Sequence, residues 1–137
     1  MTDPGWLAAV IVGLGCAAGA VSRWAVDRAL TTVVPGRFPW GTVAVNILGS
    51  LLLGLILTPL MDGAPASSMS AGTIPDSAVG LFLAVGYCGG LTTMSALSAH
   101  TALLGERRRW GSAVGLLAMT TVGSLMGFTL GWLLTGR

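Results

Sequence analysis

A long uncharged stretch with a helix-breaking segment at its centre constrains this chain more than any other feature. Between Asp76 and Glu106 lie twenty-nine residues, among which only His100 can carry a charge. A helix crosses a bilayer with roughly 20 apolar residues, so this stretch is long enough to span one. At its centre lies the segment Gly86-Tyr87-Cys88-Gly89-Gly90-Leu91-Thr92-Thr93. The paired glycines lower helix propensity, and the two threonines have hydroxyls that can replace lost backbone hydrogen bonds. The sequence therefore predicts a membrane helix that is broken near the midplane.

A broken helix inside a membrane needs partners for its free backbone groups. Non-helical backbone is tolerated at that depth only where it faces protein, an ion or water. The two half-helix ends present carbonyl and N–H groups, with which membrane proteins often hold ions near the midplane. We therefore expect an ion site at residues 86–93.

Composition indicates an integral membrane protein, because 53% of the residues are hydrophobic, 9% are charged and the mean hydropathy is +0.82. At roughly 20 residues per span, 137 residues allow about four helices with short connections and no soluble domain. Cys16 and Cys88 lie in apolar stretches, so a disulfide framework is not expected. The first apolar segment is preceded by one charged residue, Asp3, and not by the basic residues that begin a signal peptide. We therefore expect this segment to be a retained helix and not a cleaved signal.

The expected architecture is all-α, with one transmembrane unit over residues 1–137. Proline in the first turn and an interfacial indole, at Pro39 and Trp40, predict the start of the second helix. Residues 61–77 are rich in Ser, Ala, Gly and Pro and predict a solvated loop. The predicted helices cover about 6–28, 39–60, 78–104 with a break at 86–93, and 111–134.

Small residues at four-residue spacing predict close helix contacts within the bundle. The first helix has them at Gly15 and Gly19, and the fourth at Gly123, Gly127 and Gly131. This pattern indicates packing and does not by itself indicate a channel.

Several polar side chains inside the spans allow two interpretations each. Asn46, near the centre of the second helix, either makes a structural interhelical hydrogen bond or faces a polar path. Arg23 either extends to the membrane edge or points inward, where its charge would attract anions. The hydroxyls of the fourth helix either line a polar track or bond their own backbone, at Thr120, Thr121 and Ser124.

Taken together, these segments resemble the Fluc (CrcB) fluoride channel family. The matching pieces lie in three of the four helices and are Gly19-Ala20-Val21-Ser22-Arg23, Gly41-Thr42-Val43-Ala44-Val45-Asn46-Ile47-Leu48-Gly49-Ser50 and the segment 86–93. Their order and spacing agree with the family over essentially the whole chain.

The resemblance implies an antiparallel dimer of four-helix subunits that exports fluoride passively and lowers cytoplasmic fluoride. It implies a structural sodium ion at the dimer centre, held through Gly89 and Thr92, because a hard cation prefers oxygen ligands. It also implies two narrow pores in which hydrogen-bond donors replace the water around fluoride, with candidates at Asn46, Ser95 and the helix-four hydroxyls, Thr121 and Ser124 among them. In this family the pores are also lined by two phenylalanines after the threonine pair, and Met94 and Leu97 occupy those positions here. The implied location is the inner (plasma) membrane of the cell. The implied partners are fluoride, sodium, membrane lipid and a second subunit.

The chain departs from the family in the segment after the two threonines. Where the family has Thr-Thr-Phe-Ser-Thr-Phe-Ser-x-Glu, this chain has Thr92-Thr93-Met94-Ser95-Ala96-Leu97-Ser98-Ala99-His100. A ring edge carries partial positive charge, whereas Met94 and Leu97 offer only apolar surface, so the pores are expected to be altered or closed. His100 replaces a carboxylate, and it either attracts anions or is a hydrogen-bonded packing residue.

Charge placement predicts orientation. Because successive helices alternate in direction, the loops after helices one and three lie on the same side of the membrane. That side carries Arg28, Arg37 and Arg107 to Arg109, whereas the other side carries Arg137 alone. The positive-inside rule then places both termini outside the cytoplasm. A single orientation favours a heterodimer with an oppositely oriented homologue that has intact phenylalanines, and a homodimer is the alternative.

Other functions fit less well. A small multidrug exporter needs a carboxylate in helix one, and residues 6–22 contain none. A non-conducting partner subunit of a heteromeric fluoride channel stays open as an alternative. We expect no enzyme, because metal-ligand clusters, phosphate loops and paired carboxylates within the spans are missing. We expect no nucleic-acid binding, because the arginines at 107–109 adjoin a membrane interface.

Overall fold

The computed structural model of this chain describes residues 5–34, 36, 38–61 and 77–135. Most of the predicted solvated loop, together with Arg37 and Arg137, lies outside the described residues.

Helices make up nearly all of the described chain, as predicted. They are α1 (Gly5–Val33), α2 (Trp40–Met61), α3 (Ala78–Gly80), a π-helix (Leu81–Tyr87), α4 (Cys88–Leu91), α5 (Met94–Glu106) and α6 (Trp110–Thr135). The elements from α3 to α5 form one span, so four segments are long and apolar enough to cross a membrane, Gly5–Val33, Trp40–Thr58, Ala78–Glu106 and Trp110–Thr135. In the first half of the third span, residues 78–91, the π-helix accounts for seven of the fourteen residues.

The first helix continues to Val33, beyond the predicted end near residue 28. The charges of Asp27 and Arg28 do not end it, because both side chains are exposed on the helix surface. The Thr31 hydroxyl donates to the backbone carbonyls of Asp27 and Arg28 at 3.0 and 2.8 Å, which supports the extra turn.

Glycines allow two pairs of helices to approach closely, which confirms the packing interpretation of their spacing. A Cβ added at Gly86 would lie 2.9 Å from the Cα of Gly15, where the first half of the third span crosses α1. A Cβ added at Gly131 would lie 2.8 Å from the backbone nitrogen of Leu55, where α6 packs against α2. Any larger residue would separate these helices.

The buried core lies between α2, α5 and α6 and consists of Val43, Leu97, Leu104, Ala113 and Leu116. The opposite face of α6 exposes apolar side chains, as expected of a surface in contact with lipid, at Met119, Val122, Leu125, Met126 and Leu133. The core holds the second half of the third span against α2 and α6, and the glycine contacts hold the first half against α1. The break therefore lies where these two packing units meet.

Candidate functional site at the broken helix

The interruption of the third span is at Thr92 and Thr93. Helix α4 ends at Leu91 and α5 begins at Met94, while the two threonines between them are extended, with ψ of 155° at Thr92 and φ of −149° at Thr93. The break thus falls inside the predicted range of 86–93, at its carboxyl-terminal end.

The paired glycines do not form the break themselves. Gly89 and Gly90 lie within the single turn of α4. A Cβ at Gly90 would lie 2.7 Å from the Cα of Cys16, so glycine is needed there for contact with α1. A Cβ at Gly89 would have no neighbour within 4 Å, so this position faces open space.

Asn46 supplies both partners that the interrupted backbone lacks. Its Oδ1 accepts a hydrogen bond from the Thr93 N–H at 2.7 Å, and its Nδ2 donates to the Thr93 carbonyl at 3.2 Å. Both residues are buried, at 7% exposure each. Because an unpaired buried backbone group is costly, Asn46 stabilises the break, and its second amide hydrogen stays available for another acceptor.

The threonine hydroxyls cap the two half-helices. The Thr92 hydroxyl and the Thr92 N–H both donate to the carbonyl of Cys88 at 3.0 Å, which closes the end of α4. The Thr93 hydroxyl accepts from the N–H of Ala96 at 3.1 Å, which caps the start of α5.

Arg23 points inward to the break. Its Nη1 donates to the carbonyl of Thr92 at 3.1 Å, and the side chain is half-buried. The neighbouring Ser22 accepts a hydrogen bond from the Tyr87 hydroxyl at 2.9 Å, which fixes α1 against the third span. The structure therefore selects the inward alternative for Arg23 over an extension to the membrane edge.

A cavity of about 420 Å³ beside the break, here called the break cavity, brings together most of the predicted ion-pathway and metal-site residues. Its lining includes the predicted residues Asn46, Gly89, Thr92, Met94, Leu97, Thr121 and Ser124. It also includes Thr120, whose hydroxyl the sequence left open between a polar track and a backbone hydrogen bond, and two residues that were not assigned to the pathway from sequence, Ser50 and Thr93. The predicted residue Ser95 does not line this cavity, and its exposed hydroxyl lies 3.2 Å from that of Thr93.

Thr120 is the most informative residue of the break cavity. Its side chain is 3% exposed, and its Oγ1 is buried without a hydrogen-bond partner among the described residues. A buried hydroxyl left unpaired costs roughly 1–3 kcal/mol, so a polar ligand or water is expected at this position. The sequence indicates that Thr120 belongs with Ser124, because their four-residue spacing places both hydroxyls on one face of α6.

The two side chains that replace the aromatic residues have different surroundings. Met94 is 72% exposed, whereas Leu97 is 5% exposed and belongs to the core with Val43 and Leu116. Only Met94 is therefore free to contact anything outside this subunit.

His100 and Arg23 lie together on the other side of Thr93. They line a second cavity of about 310 Å³, here called the Arg23 cavity, whose walls also include Asp27, Thr42 and Thr93. The Thr42 hydroxyl and Nδ1 of His100 are hydrogen-bonded at 3.0 Å. Thr93 lines both cavities, so the break separates a chamber with charged side chains from one with hydroxyl groups.

Comparison with known proteins agrees with this geometry. Residues 10–132 match the family described as CrcB-like protein, Camphor Resistance (CrcB). A protein of Novosphingobium aromaticivorans named fluoride-specific ion channel FluC is 38% identical over 127 residues, which cover 90% of this chain and 92% of that protein. Proteins with the same name from Phenylobacterium zucineum and Thermus thermophilus are 40% and 35% identical, covering 90% and 93% of this chain and 94% and 97% of their own lengths.

The match spans the break, Asn46, Arg23 and the hydroxyls of α6, so it covers all the features described above. With its four apolar spans and bacterial ion-channel relatives, the chain belongs to the CrcB family as a multi-pass protein of the plasma membrane and is not an enzyme.

Proposed function

We propose that this chain is the subunit of a fluoride-selective channel that exports fluoride passively and so lowers cytoplasmic fluoride. The names of its relatives support a fluoride channel subunit. The observation that carries the proposal is the Thr120 hydroxyl, which has no hydrogen-bond partner among the described residues and belongs to a residue that lines the break cavity together with Asn46.

Hydrogen-bond donors around the break cavity are the right chemistry for a small, strongly hydrated anion. A selective pore must replace the water around fluoride with closely spaced donors. Asn46 has one amide hydrogen beyond the one that it donates to Thr93, and a threonine or serine hydroxyl has one hydrogen to donate. Besides Asn46, the donors of this path are Ser50, Thr120, Thr121 and Ser124.

Arg23 supplies the fixed positive charge on the opposite side of the break. An arginine stays protonated at any physiological pH, so its field attracts anions into the Arg23 cavity, although Asp27 in the same wall offsets part of that field. His100 adds a polar ring next to Thr42 in the wall of the same cavity.

A structural sodium ion fits the end of α4. The last carbonyls of a helix lack intrahelical donors, and at this end the carbonyl of Cys88 is already engaged by Thr92. The Gly89 carbonyl belongs to this last turn and is proposed as one ligand, while the Thr92 carbonyl has one lone pair left beside the bond from Arg23. Oxygen ligands suit a hard cation, and the described residues contain no His, Cys, Asp or Glu cluster that would favour another metal.

The second subunit is proposed to be antiparallel and to meet this one at the break. Gly89 and Met94 are both exposed there, and Met94 would reach across the contact. The exposed positions of Arg28 and Arg107 to Arg109 favour one orientation, with both termini outside the cytoplasm and a homologous partner of opposite orientation. An even distribution of orientations in a tagged-topology assay would favour the homodimer instead.

A non-conducting partner subunit is the second candidate function, and the surroundings of Leu97 favour it. Leu97 borders the break cavity but packs mostly in this subunit's core, and as an aliphatic side chain it has neither a ring edge nor a donor for fluoride. A small multidrug exporter fits less well, since Asp27 is the only carboxylate in α1 and lies exposed near its end.

Fluoride efflux from liposomes distinguishes the candidates. The protein is reconstituted alone and with a co-expressed homologue, and chloride efflux is the control. Fluoride efflux in either preparation without chloride efflux supports the channel. If the assembled dimer of this chain with its homologue releases no fluoride in correctly oriented vesicles, the non-conducting subunit is the better account.

A further inference from the structure

Three consecutive arginines form a rigid basic turn between α5 and α6. Arg108 has a positive φ of 54°, and the turn is closed by backbone hydrogen bonds from Arg108 to Gly105 and from Arg109 to Leu104, both at 2.9 Å. All three arginine side chains are exposed, and so is Trp110, which follows them. The turn therefore holds three guanidinium groups and an indole at one surface of the membrane.

A cavity of about 260 Å³, here called the surface cavity, opens beside this turn, between the ends of α1 and α5 and the start of α2. Arg107 is the only residue of the basic turn that lines it. Most of the remaining lining is apolar, namely Leu30, Val34, Phe38, Pro39, Trp40, Leu103 and Leu104.

The acidic group of this cavity lies at its inner end. Asp27, Gly41 and His100 line both the surface cavity and the Arg23 cavity, so they form the wall between the two. The Asp27 carboxylate packs directly over Gly41, in that wall. Arg107 lines the surface cavity but not the Arg23 cavity, so this cationic side chain lies away from the shared wall.

This combination matches one ligand chemistry. A guanidinium binds a phosphate with two parallel hydrogen bonds, and basic pockets between membrane helices accommodate lipid head groups. The volume is too small for a whole phospholipid, but exposed aliphatic side chains next to the cavity, Val33, Val34 and Leu103, offer a surface for acyl chains. A small inorganic anion could pair with the same guanidinium but would gain nothing from the aliphatic surface beside it.

We propose that the surface cavity binds the head-group phosphate of an anionic phospholipid, with Arg107 as its main ligand. The competing account treats the three arginines only as an orientation signal, for which their charges are equivalent. The proposed site makes Arg107 different from Arg109, which has the same charge in the same turn but does not line the cavity.

Lipid binding to the purified full-length protein tests this difference by native mass spectrometry, with phosphatidylglycerol and phosphatidylcholine as probes. The wild type should retain phosphatidylglycerol in preference to phosphatidylcholine. Because one charge-assisted bidentate contact is lost, Arg107→Gln should weaken phosphatidylglycerol binding roughly tenfold, while the matched variant Arg109→Gln should change it by less than about threefold.

A second variant separates the site from net charge and from misfolding. Arg107→Lys keeps the charge, and hence the orientation signal, but lacks the planar fork, so it should still bind phosphatidylglycerol less tightly than Arg109→Lys. Equal losses in the two glutamine variants, or equal retention of the two lipids by the wild type, would overturn the proposal. Displacement of phosphatidylglycerol by equimolar glycerol phosphate would also overturn it, because it would show that the acyl chains contribute nothing.

Discussion

Replacing Asn46 with alanine should destabilise the protein strongly, because one side chain satisfies both backbone groups of Thr93. The variant loses the bond to the Thr93 N–H at 2.7 Å and the bond to the Thr93 carbonyl at 3.2 Å. Each buried group left unpaired costs roughly 1–3 kcal/mol, so the total is about 2–6 kcal/mol. Thr93 also lines two cavities through which water can reach it, so we expect the lower half of that range.

Thermal denaturation of the purified protein in detergent measures this effect. A loss of about 2–4 kcal/mol corresponds to a decrease of roughly 6–15 °C in the melting temperature of a chain of this size. Thr120→Val is the matched control, because it removes a buried hydroxyl that has no partner among the described residues and nearly preserves the side-chain shape. It should leave the melting temperature unchanged or raise it slightly. An Asn46→Ala variant as stable as the wild type would refute the role of Asn46 in holding the break.

Three further predictions follow from the same contacts. Gly90→Ala should prevent close packing of α4 on α1 and lower the yield of folded protein, whereas Gly13→Ala in α1, where an added Cβ has no neighbour within 4 Å, should be tolerated. Size-exclusion profiles of the two variants would show this difference, and equal profiles would contradict the stated role of Gly90. Replacing sodium with a large organic cation should lower the melting temperature of the wild-type dimer, and Gly89→Ala, which keeps the carbonyl, should retain this dependence; a melting temperature independent of sodium would contradict the proposed ion. Met94→Phe should increase fluoride efflux from the assembled dimer, because Met94 is exposed, whereas Leu97→Phe should lower the melting temperature, because Leu97 is buried in the core. Faster efflux with Leu97→Phe and a lower melting temperature with Met94→Phe would contradict this difference.

The four spans and the interruption of the third could be predicted from the sequence, because apolar length and uncharged stretches are local properties. The position of the interruption within 86–93 was harder to predict. Glycine lowers helix propensity wherever it occurs, but at Gly90 its missing side chain serves contact with Cys16, and the extended residues are the two threonines. The π-helix at Leu81–Tyr87 has no comparable local signal, since no proline occurs within it.

The contacts that define the site join residues that are far apart in the sequence, and a local sequence pattern cannot predict such contacts. Asn46 and Thr93 are 47 residues apart, and Arg23 and Thr92 are 69 apart. The sequence left Arg23 with two equally physical alternatives, since a terminal arginine can extend to either environment. Likewise, Leu97 was expected to line a pore because of its position after the threonines, and it does border the break cavity, but most of its side chain packs in the core.

Fluoride efflux from liposomes that contain wild-type or Thr120→Val subunits, each assembled with the best conducting partner, tests the central claim most directly. The claim is that the Thr120 hydroxyl, which has no partner within the part of the chain that the structure describes, is a ligand of the permeating anion in the break cavity. Loss of one donor to a charged ligand is worth roughly 1.5–3 kcal/mol, so the account predicts at least about tenfold slower fluoride efflux with unchanged dimer assembly and melting temperature. Unchanged fluoride efflux in the valine variant would contradict it.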